Sequence, residues 1–463
     1  MTHFAISLPP IIKTISDELS KQNFKAILVG GCVRDHFLDL PIKDYDVEVF
    51  GIENIENLEK ILCKFGKVNI VGKSFGILKF VYGGHEYDFS LPRTETKISV
   101  GHKGFDVVCN GKMDFKSAAI RRDFTINAIG YDMSSGEVLD PFNGLMDIKR
   151  KIVRCVSKDT FAEDPLRVYR AAGFCARFGF EIDDDTLMSC TQMTKKDEFK
   201  YLPKERIFVE FKKILLKSPK PSVGFELLRQ MGAIKQFPEL NDIINIPQSS
   251  IHHPEGDVWT HTMMVIDEMA KLKSGDEKQD LKLMFAALCH DLGKATHTRI
   301  DGEKIRAIGH EKAGVELTKD FLYRLTNEHD FIRSILPLVE YHLVPSIYYK
   351  NKAKDKRIRI LSTKVNISEL LILARADFLG RTTTKAMSGV YEAGDWMEKK
   401  AKELGVLYAP PKCFLQGRDL IDLGLIPSPK FSEILDIVYE KQLSGEIKSK
   451  EDAFVYLSKI INS

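Results

Sequence analysis

An α+β head followed by an all-helical remainder is the architecture this sequence predicts, and three observations carry it. Short β-type runs broken by glycines occupy residues 1 to about 150. From about residue 160 the apolar positions take helical spacing, with Leu166, Tyr169, Arg170, Gly173 and Phe174 opening a long amphipathic stretch. Pro203, Pro219, Pro221, Pro238 and Pro247 then punctuate further helical segments.

Size and composition agree. A chain of 463 residues suits roughly three domains. Its 44% hydrophobic and 29% charged residues are ordinary for a protein with a buried core. The formal net charge of +3 is nearly neutral, so a nucleic-acid partner would meet a local basic surface. Eight cysteines are scattered singly with no Cys-x-x-Cys, against both a disulfide framework and zinc knuckles. No apolar run approaches the ~20 residues that span a bilayer, and no signal-peptide pattern opens the chain. A cytoplasmic location without a membrane partner is expected.

Taken in order, the first β run, Ala26 to Val29, ends at Gly30-Gly31, and Arg34 and Asp35 follow at once. The second, Tyr45 to Phe50, carries acids at alternate positions. Side chains alternate faces along a strand, so Asp44 and Asp46 are expected to point the same way. Two adjacent carboxylates repel, and a divalent cation is the usual remedy. A glycine pair and an arginine nearby suit a phosphate-bearing ligand. Lys67 to Val71, Gly76 to Tyr82 and Glu86 to Leu91 continue the β pattern, and the last brings a third acid, Asp88. Glu48 shares the parity of Asp44 and Asp46 and is the second-ranked rival to Asp88. Three acids from two strands can hold two divalent ions, the chemistry of two-metal nucleotidyl transfer. Arg93 to Phe105, charged and glycine-containing, reads as a mobile loop, and Lys151 to Val156 as a further strand.

Three more motifs follow: Arg121-Arg122-Asp123-Phe124-Thr125-Ile126-Asn127-Ala128, then Asp140 to Gly144, then Glu163-Asp164-Pro165-Leu166-Arg167. On a helix Asp164 and Arg167 sit three apart and Glu163 and Arg167 four apart, on one face. Cytosine and adenine both offer an exocyclic amino donor beside a ring-nitrogen acceptor. A carboxylate with a guanidinium matches that edge and rejects U and G by ~1–3 kcal/mol per mispaired contact.

A second constellation is His261, His290-Asp291 and Asp377. His290 and Asp291 close the apolar run Ala286 to Cys289, just before Gly293. A buried His–Asp pair with nothing to balance it is costly, and a metal is a reasonable guest. Lys294, just beyond, is a candidate phosphate contact. A polar stretch, Pro247 to Gly256, marks a boundary, which divides the chain into 1–150, 151–248, 249–385 and 386–463. In the last part Ser428 before Pro429, and Ser449 with Asp452, are helix starts. Arg418, Lys430, Lys441 and Lys448 there are either solvated helix faces or contacts to an RNA backbone.

In this order, the head motifs closely resemble the class II tRNA nucleotidyltransferase and poly(A) polymerase family, the CCA-adding enzymes, over about the first 240 residues. The resemblance implies a nucleotidyltransferase head with a five-stranded sheet, then a helical neck, body and tail. It implies untemplated addition of C, C and A from CTP and ATP to the 3′ end of a tRNA bound by that end and its acceptor stem, releasing pyrophosphate. It assigns Asp44 and Asp46 to Mg²⁺, with Asp88 as third acid, and Gly30, Gly31, Arg34, Arg122, Asp123, Asn127 and Arg170 to the nucleotide. Asp164 and Arg167 become base readers, with Glu163 orienting Arg167. The order His…His-Asp…Asp resembles the HD phosphohydrolase superfamily, whose fold is helical. That implies a divalent ion (Ni, Mn, Co or Mg) on His261, His290, Asp291 and Asp377, with His310 and His342 at further ligand or phosphate positions, and either phosphoester hydrolysis or a tRNA-binding body. Rival readings are a poly(A) polymerase or a partial CC- or A-adding enzyme. From another class comes a metal-dependent phosphohydrolase with a nucleotide-binding head.

Overall fold

A computed structural model describes residues 6–70, 76–97 and 105–461. The chain divides into two compact units: residues up to Ser218 with Val223–Gln236, and Pro219–Ser222 with Phe237 onward. Among the described residues no helix is long and apolar enough to cross a membrane.

In the first unit, strands β1 (Lys25–Val29), β2 (Asp46–Phe50), β3 (Lys67–Ile70), β4 (Ile77–Tyr82) and β5 (His85–Ser90) are the five runs legible in the sequence. β6 (Arg93–Lys97) and β7 (Phe105–Cys109) pair with each other, apart from the main sheet. The expected loop at 93–105 is therefore strand at its described ends, while residues 98–104 lie outside the described residues. β8 (Gly130–Asp132) and β9 (Val138–Leu139) complete a sheet in the order β3-β4-β5-β2-β1-β8-β9. That is seven strands where the resemblance implied five. The two additions are too short to show a period-two pattern.

One face of this sheet is apolar. Leu28, Val47, Val49, Leu78, Phe80 and Phe89 pack in one core cluster with residues of the helices Pro10–Lys21 and Ile55–Leu62. Alternation then turns Asp46, Glu48 and Asp88 to the other face. β2 and β5 run parallel with Asp46 opposite Asp88. The run at Lys151 to Val156 is not a strand of this sheet. A left-handed Lys151 ends the helix Gly144–Arg150; Ile152–Val153 (β10) pairs with Glu181–Ile182 (β11), and Cys155 forms a single bridge with Phe124. The helices Arg167–Phe178, Asp184–Met193 and Lys204–Lys217 follow.

The second unit is helical apart from a small hairpin at Arg299–Arg306. The helices Val258–Lys271, Glu277–Cys289, His310–Tyr323, His329–Tyr341 and Ile367–Leu379 each bring a ligand-type side chain to one place, described below. In the tail, Leu415, Leu420, Val438, Ile447, Ala453 and Leu457 form a separate apolar cluster. The Ser449 hydroxyl caps its helix, accepting from the Asp452 N–H at 3.1 Å. The other start falls one residue later than expected: the helix opens at Lys430, with Pro429 at the cap.

Candidate active site in the head and candidate metal centre

β1 runs into Gly30, whose φ of +75° is a left-handed conformation that glycine adopts without strain. A Cβ there would also meet the Arg122 guanidinium at 3.1 Å and the Asp46 carboxylate at 3.5 Å. The turn thus lays bare backbone against the acid that the sequence singled out. Asp44 is exposed and precedes β2, so strand alternation does not orient it as expected; the strand begins only at Asp46. It shares a cavity wall with Asp46, Gly31 and Lys43 instead.

Asp88 stands beside Asp46, its N–H donating to the Tyr45 carbonyl at 3.1 Å. Burial pushes the Asp46 carboxyl up to about 6; Arg122 opposes the rise, while Asp88, Asp44 and Glu48 add to it. Burial also raises Asp88. Burial disfavours the charged form of both acids, and neighbouring carboxylates add to the effect. Glu48 is held differently. It is 1% exposed and accepts from Arg121 at 2.7 Å and Arg122 at 3.1 Å, so two guanidinium groups already balance it.

The motif around residue 121 builds the adjoining wall as one hydrogen-bonded chain. Arg34 donates to Asp35 at 2.8 and 2.6 Å and to the Asn127 amide oxygen at 2.6 Å. Asn127 donates to Asp123 at 2.9 Å, and Arg170 donates to the other Asp123 oxygen at 2.7 Å. Burial alone would raise the Asp123 carboxyl, but Arg170, then Asn127, hold it below the usual carboxylate range. The Arg34 guanidinium also lies over the Phe174 and Phe178 rings, at 5.2 and 5.0 Å from their centroids. These residues frame a cavity of about 310 Å³, with Gly30, Asp46, Arg122, Arg170, Lys213 and Lys217 also on its walls. Lys213 and Lys217 were not singled out from sequence; they sit on a helix with no motif around them.

The 163–167 motif differs from its expected geometry. The helix begins at Arg167, so Glu163 and Asp164 lie in the turn before it and the shared-face spacing does not apply. Pro165 is the reason, since it disfavours helical backbone at the residue before it. Asp164 accepts from Arg206 at 3.1 Å and from the Leu166 N–H at 3.0 Å. Arg167 donates to the carbonyls of Thr160 at 2.7 Å and Arg121 at 2.6 Å. Among the described residues no hydrogen bond or ion pair joins Glu163 to Arg167, and none of the three lines the cavity.

In the second unit, His261, His290, Asp291 and Asp377 do converge, all buried. His261 Nε2 lies 3.0 Å from Asp377 and 3.9 Å from Asp291. His290 Nε2 is 3.1 Å from Asp291, and His310 and His342 join at 3.2 and 3.8 Å. The Nδ1 atoms of His290, His310 and His342 face the carbonyls of Ala287, Ala307 and Val339 at 2.8, 2.6 and 2.7 Å. A carbonyl only accepts, so each Nδ1 carries its proton and each Nε2 is left to face the Asp291 carboxylate. The Nε2 atoms of His290 and His310 and both Asp291 oxygens are buried without an aligned hydrogen bond. A cation shared by these Nε2 and carboxylate atoms would satisfy them; the donor set of imidazoles and carboxylates fits a divalent metal. Groups of three ligand atoms within 4.8 Å of one another include His261 with His290 and Asp291, and Asp291 with His310 and His342. Gly293 makes this packing possible: a Cβ there would fall 2.0 Å from the His310 carbonyl.

Lys294 is not free for a phosphate. It donates to Gln248 at 2.7 Å and pairs with Asp291 at 2.7 Å. Sequence reading missed Arg381, which donates to both Asp377 oxygens at 2.8 Å, although its i+4 spacing from Asp377 was a signal. It also missed His253 and Glu255, which sit in the polar stretch taken as a boundary.

Three family models match this chain. The Poly A polymerase head domain matches residues 26–154, the probable RNA and SrmB-binding site of polymerase A residues 179–244, and the HD domain residues 258–381. Fold and sites together define a nucleotidyltransferase that carries an HD domain. The Multifunctional CCA protein of Pseudoalteromonas atlantica is 35% identical over 366 residues, 77% of this chain and 85% of that one. That of Nitrosospira multiformis is 37% identical over 319 residues, 69% and 73% of the two chains. The Bacillus stearothermophilus CCA-adding enzyme in complex with CTP is structurally similar, with a TM-score of 0.68 at 20% identity over 98% of both chains. The Thermotoga maritima CCA-adding enzyme complexed with tRNA gives 0.61 at 19% identity, over 98% of this chain and 96% of that one. The chain belongs to the Multifunctional CCA protein family and is a CCA-adding enzyme, a tRNA nucleotidyltransferase.

Proposed function

We propose that the head adds CMP, CMP and AMP to the tRNA 3′ end from CTP and ATP at the face shared by Asp46 and Asp88. The observation that carries this is the in-register acid pair, set against the bare backbone of Gly30. Asp44, Asp46 and Asp88 would hold divalent cations, Mg²⁺ in this reading, whose chemistry when bound is to acidify the attacking hydroxyl and neutralise the triphosphate. The cavity wall of Arg122, Arg170, Lys213 and Lys217 supplies positive charge for the phosphates. The chain Asp35–Arg34–Asn127–Asp123–Arg170 keeps that wall stiff, so Arg34 and Asp123 act by framing the nucleotide. Asp164 and Arg167 read the base edge once Asp164 exchanges Arg206 for the nucleobase amino group, with Glu163 beside them.

The HD part binds a divalent ion through His261, His290, Asp291 and Asp377, joined by His310 and His342, and hydrolyses a phosphoester. Its support is the set of buried Nε2 and carboxylate oxygen atoms around Asp291 that lack an aligned hydrogen bond. The division at about 150, 248 and 385 serves as the functional partition, supported by the three family matches.

The test is incubation with tRNAs ending in the discriminator base, C or CC, and each labelled nucleoside triphosphate. Full CCA addition to the shortest substrate is expected. AMP added only to the CC-ending tRNA makes this an A-adding enzyme, CMP alone a CC-adding one, and long A tracts on general RNA a poly(A) polymerase.

A further inference from the structure

Glu255 carries a buried carboxylate, 1% exposed, that none of the motifs above uses. Its Oε1 lies 2.9 Å from Nδ1 of His253 and 2.8 Å from Nδ1 of His261, the second contact bent from ideal hydrogen-bond alignment. Its Oε2 accepts from the Thr382 N–H at 3.1 Å, with the Thr382 hydroxyl at 3.5 Å. Thr382 follows Arg381, the residue clamped on Asp377. One carboxylate therefore touches two imidazoles and the segment just beyond Asp377.

We propose that Glu255 is the positioning residue of the HD centre. It receives the Nδ1 protons of His253 and His261 and so turns both Nε2 lone pairs toward the cavity. The argument rests on reading the His–Asp cluster as a metal centre. His290, His310 and His342 each have a backbone carbonyl to hold the Nδ1 proton. His261 does not; Glu255 does for it what a carbonyl does for the others. A histidine ligand needs its second nitrogen protonated and anchored, or the ring presents a proton where a lone pair is required. The rings of His253 and His261 meet edge-on with centroids 4.6 Å apart, and His253 lines the same cavity as Asp291, His310, His342 and Asp377. His253 thereby joins the centre as an additional imidazole held by the same carboxylate.

Glu255→Gln tests this, because the neutral amide sets its NH₂ group either against both Nδ1 protons or against the Thr382 N–H, and carries no charge to hold the imidazoles. In the full-length chain, calorimetric titration with Mn²⁺ or Ni²⁺ should show affinity at the HD centre reduced ~10–100-fold, the range for loss of an outer carboxylate partner. Asp291→Ala identifies that binding event by abolishing it. No metal binding at this centre in the wild-type chain overturns the metal reading and this proposal together. Wild-type binding with an equal affinity in Glu255→Gln overturns the positioning role alone. The second measurement does not depend on how the variant folds. In zinc-loaded, ¹⁵N-histidine-labelled wild-type protein, His261 is expected as the Nδ1–H tautomer; a deprotonated Nδ1 overturns the proposal.

Discussion

Asp46 on β2 and Asp88 on β5 stand at the same register position of the one parallel pairing among the described strands of the head sheet. Their flanking residues Val47 and Phe89 enter the apolar core, so both carboxylates share the opposite face. Asp46→Ala or Asp44→Ala is expected to abolish CMP and AMP incorporation while tRNA binding stays measurable. Asp88→Asn should lower incorporation by about 100-fold or more, the scale of losing one preorganised charged group. Normal incorporation in any of the three, measured with labelled nucleotide, removes that residue from the metal-holding set.

Glu48 is the contrasting acid. It shares the parity of Asp46 but is buried under Arg121 and Arg122. Glu48→Ala removes the buried carboxylate that accepts from both Arg121 and Arg122 and should destabilise the protein by about 3–5 kcal/mol. Urea unfolding reads this, and Asp88→Asn should not show it. A stable Glu48→Ala protein that has lost activity would make Glu48 the third metal-holding acid in place of Asp88.

Asp164 tests the base-reading assignment. Arg206 satisfies it in this structure, and the proposed role requires that contact to be exchanged. Asp164→Ala should relax discrimination against UTP and GTP by ~1–3 kcal/mol, or about 5–150-fold in relative kcat/KM. Unchanged discrimination with lowered stability would mean that Asp164 serves only to brace Arg206.

The Asp123–Arg170 pair predicts a pH dependence. Asp123 titrates below its unfolded value of about 3.9, so its contribution is fully present above that value. It is lost as pH falls through the lower, folded value. Asp123→Asn should cost about 3–5 kcal/mol near neutral pH, because Arg170 then lacks its counter-charge. The gap between wild type and variant should close as the buffer is taken below about pH 4, as thermal melts at successive pH values would show. A gap constant with pH would mean that Asp123 acts through shape alone.

The strands β1 to β5 were legible because each is long enough to show alternation or an apolar run between glycines. β8 and β9 were not, at three and two residues. His290 of the proposed metal centre was legible because His290-Asp291 closes an apolar helix, a place where an unbalanced pair has no cheap explanation. Glu255 was hidden in a polar stretch that reads as linker, and its partner Thr382 is far along the chain.

The sequence by itself determined which residues are chemically unusual: acids at alternate positions, a glycine pair after a strand, an acid–proline step, a His–Asp pair in an apolar run. Local spacing and burial cost express all of these within a few residues. Tertiary structure alone decided which charge answers which. It gave Asp46 a neighbour in Asp88, gave Glu48 two arginines, gave Asp164 an Arg206 in place of Arg167, and gave His261 the carboxylate of Glu255. The physical reason is that the energy of an ionised group depends on the distance and burial of its partners, and folding sets both between residues that local pattern cannot connect.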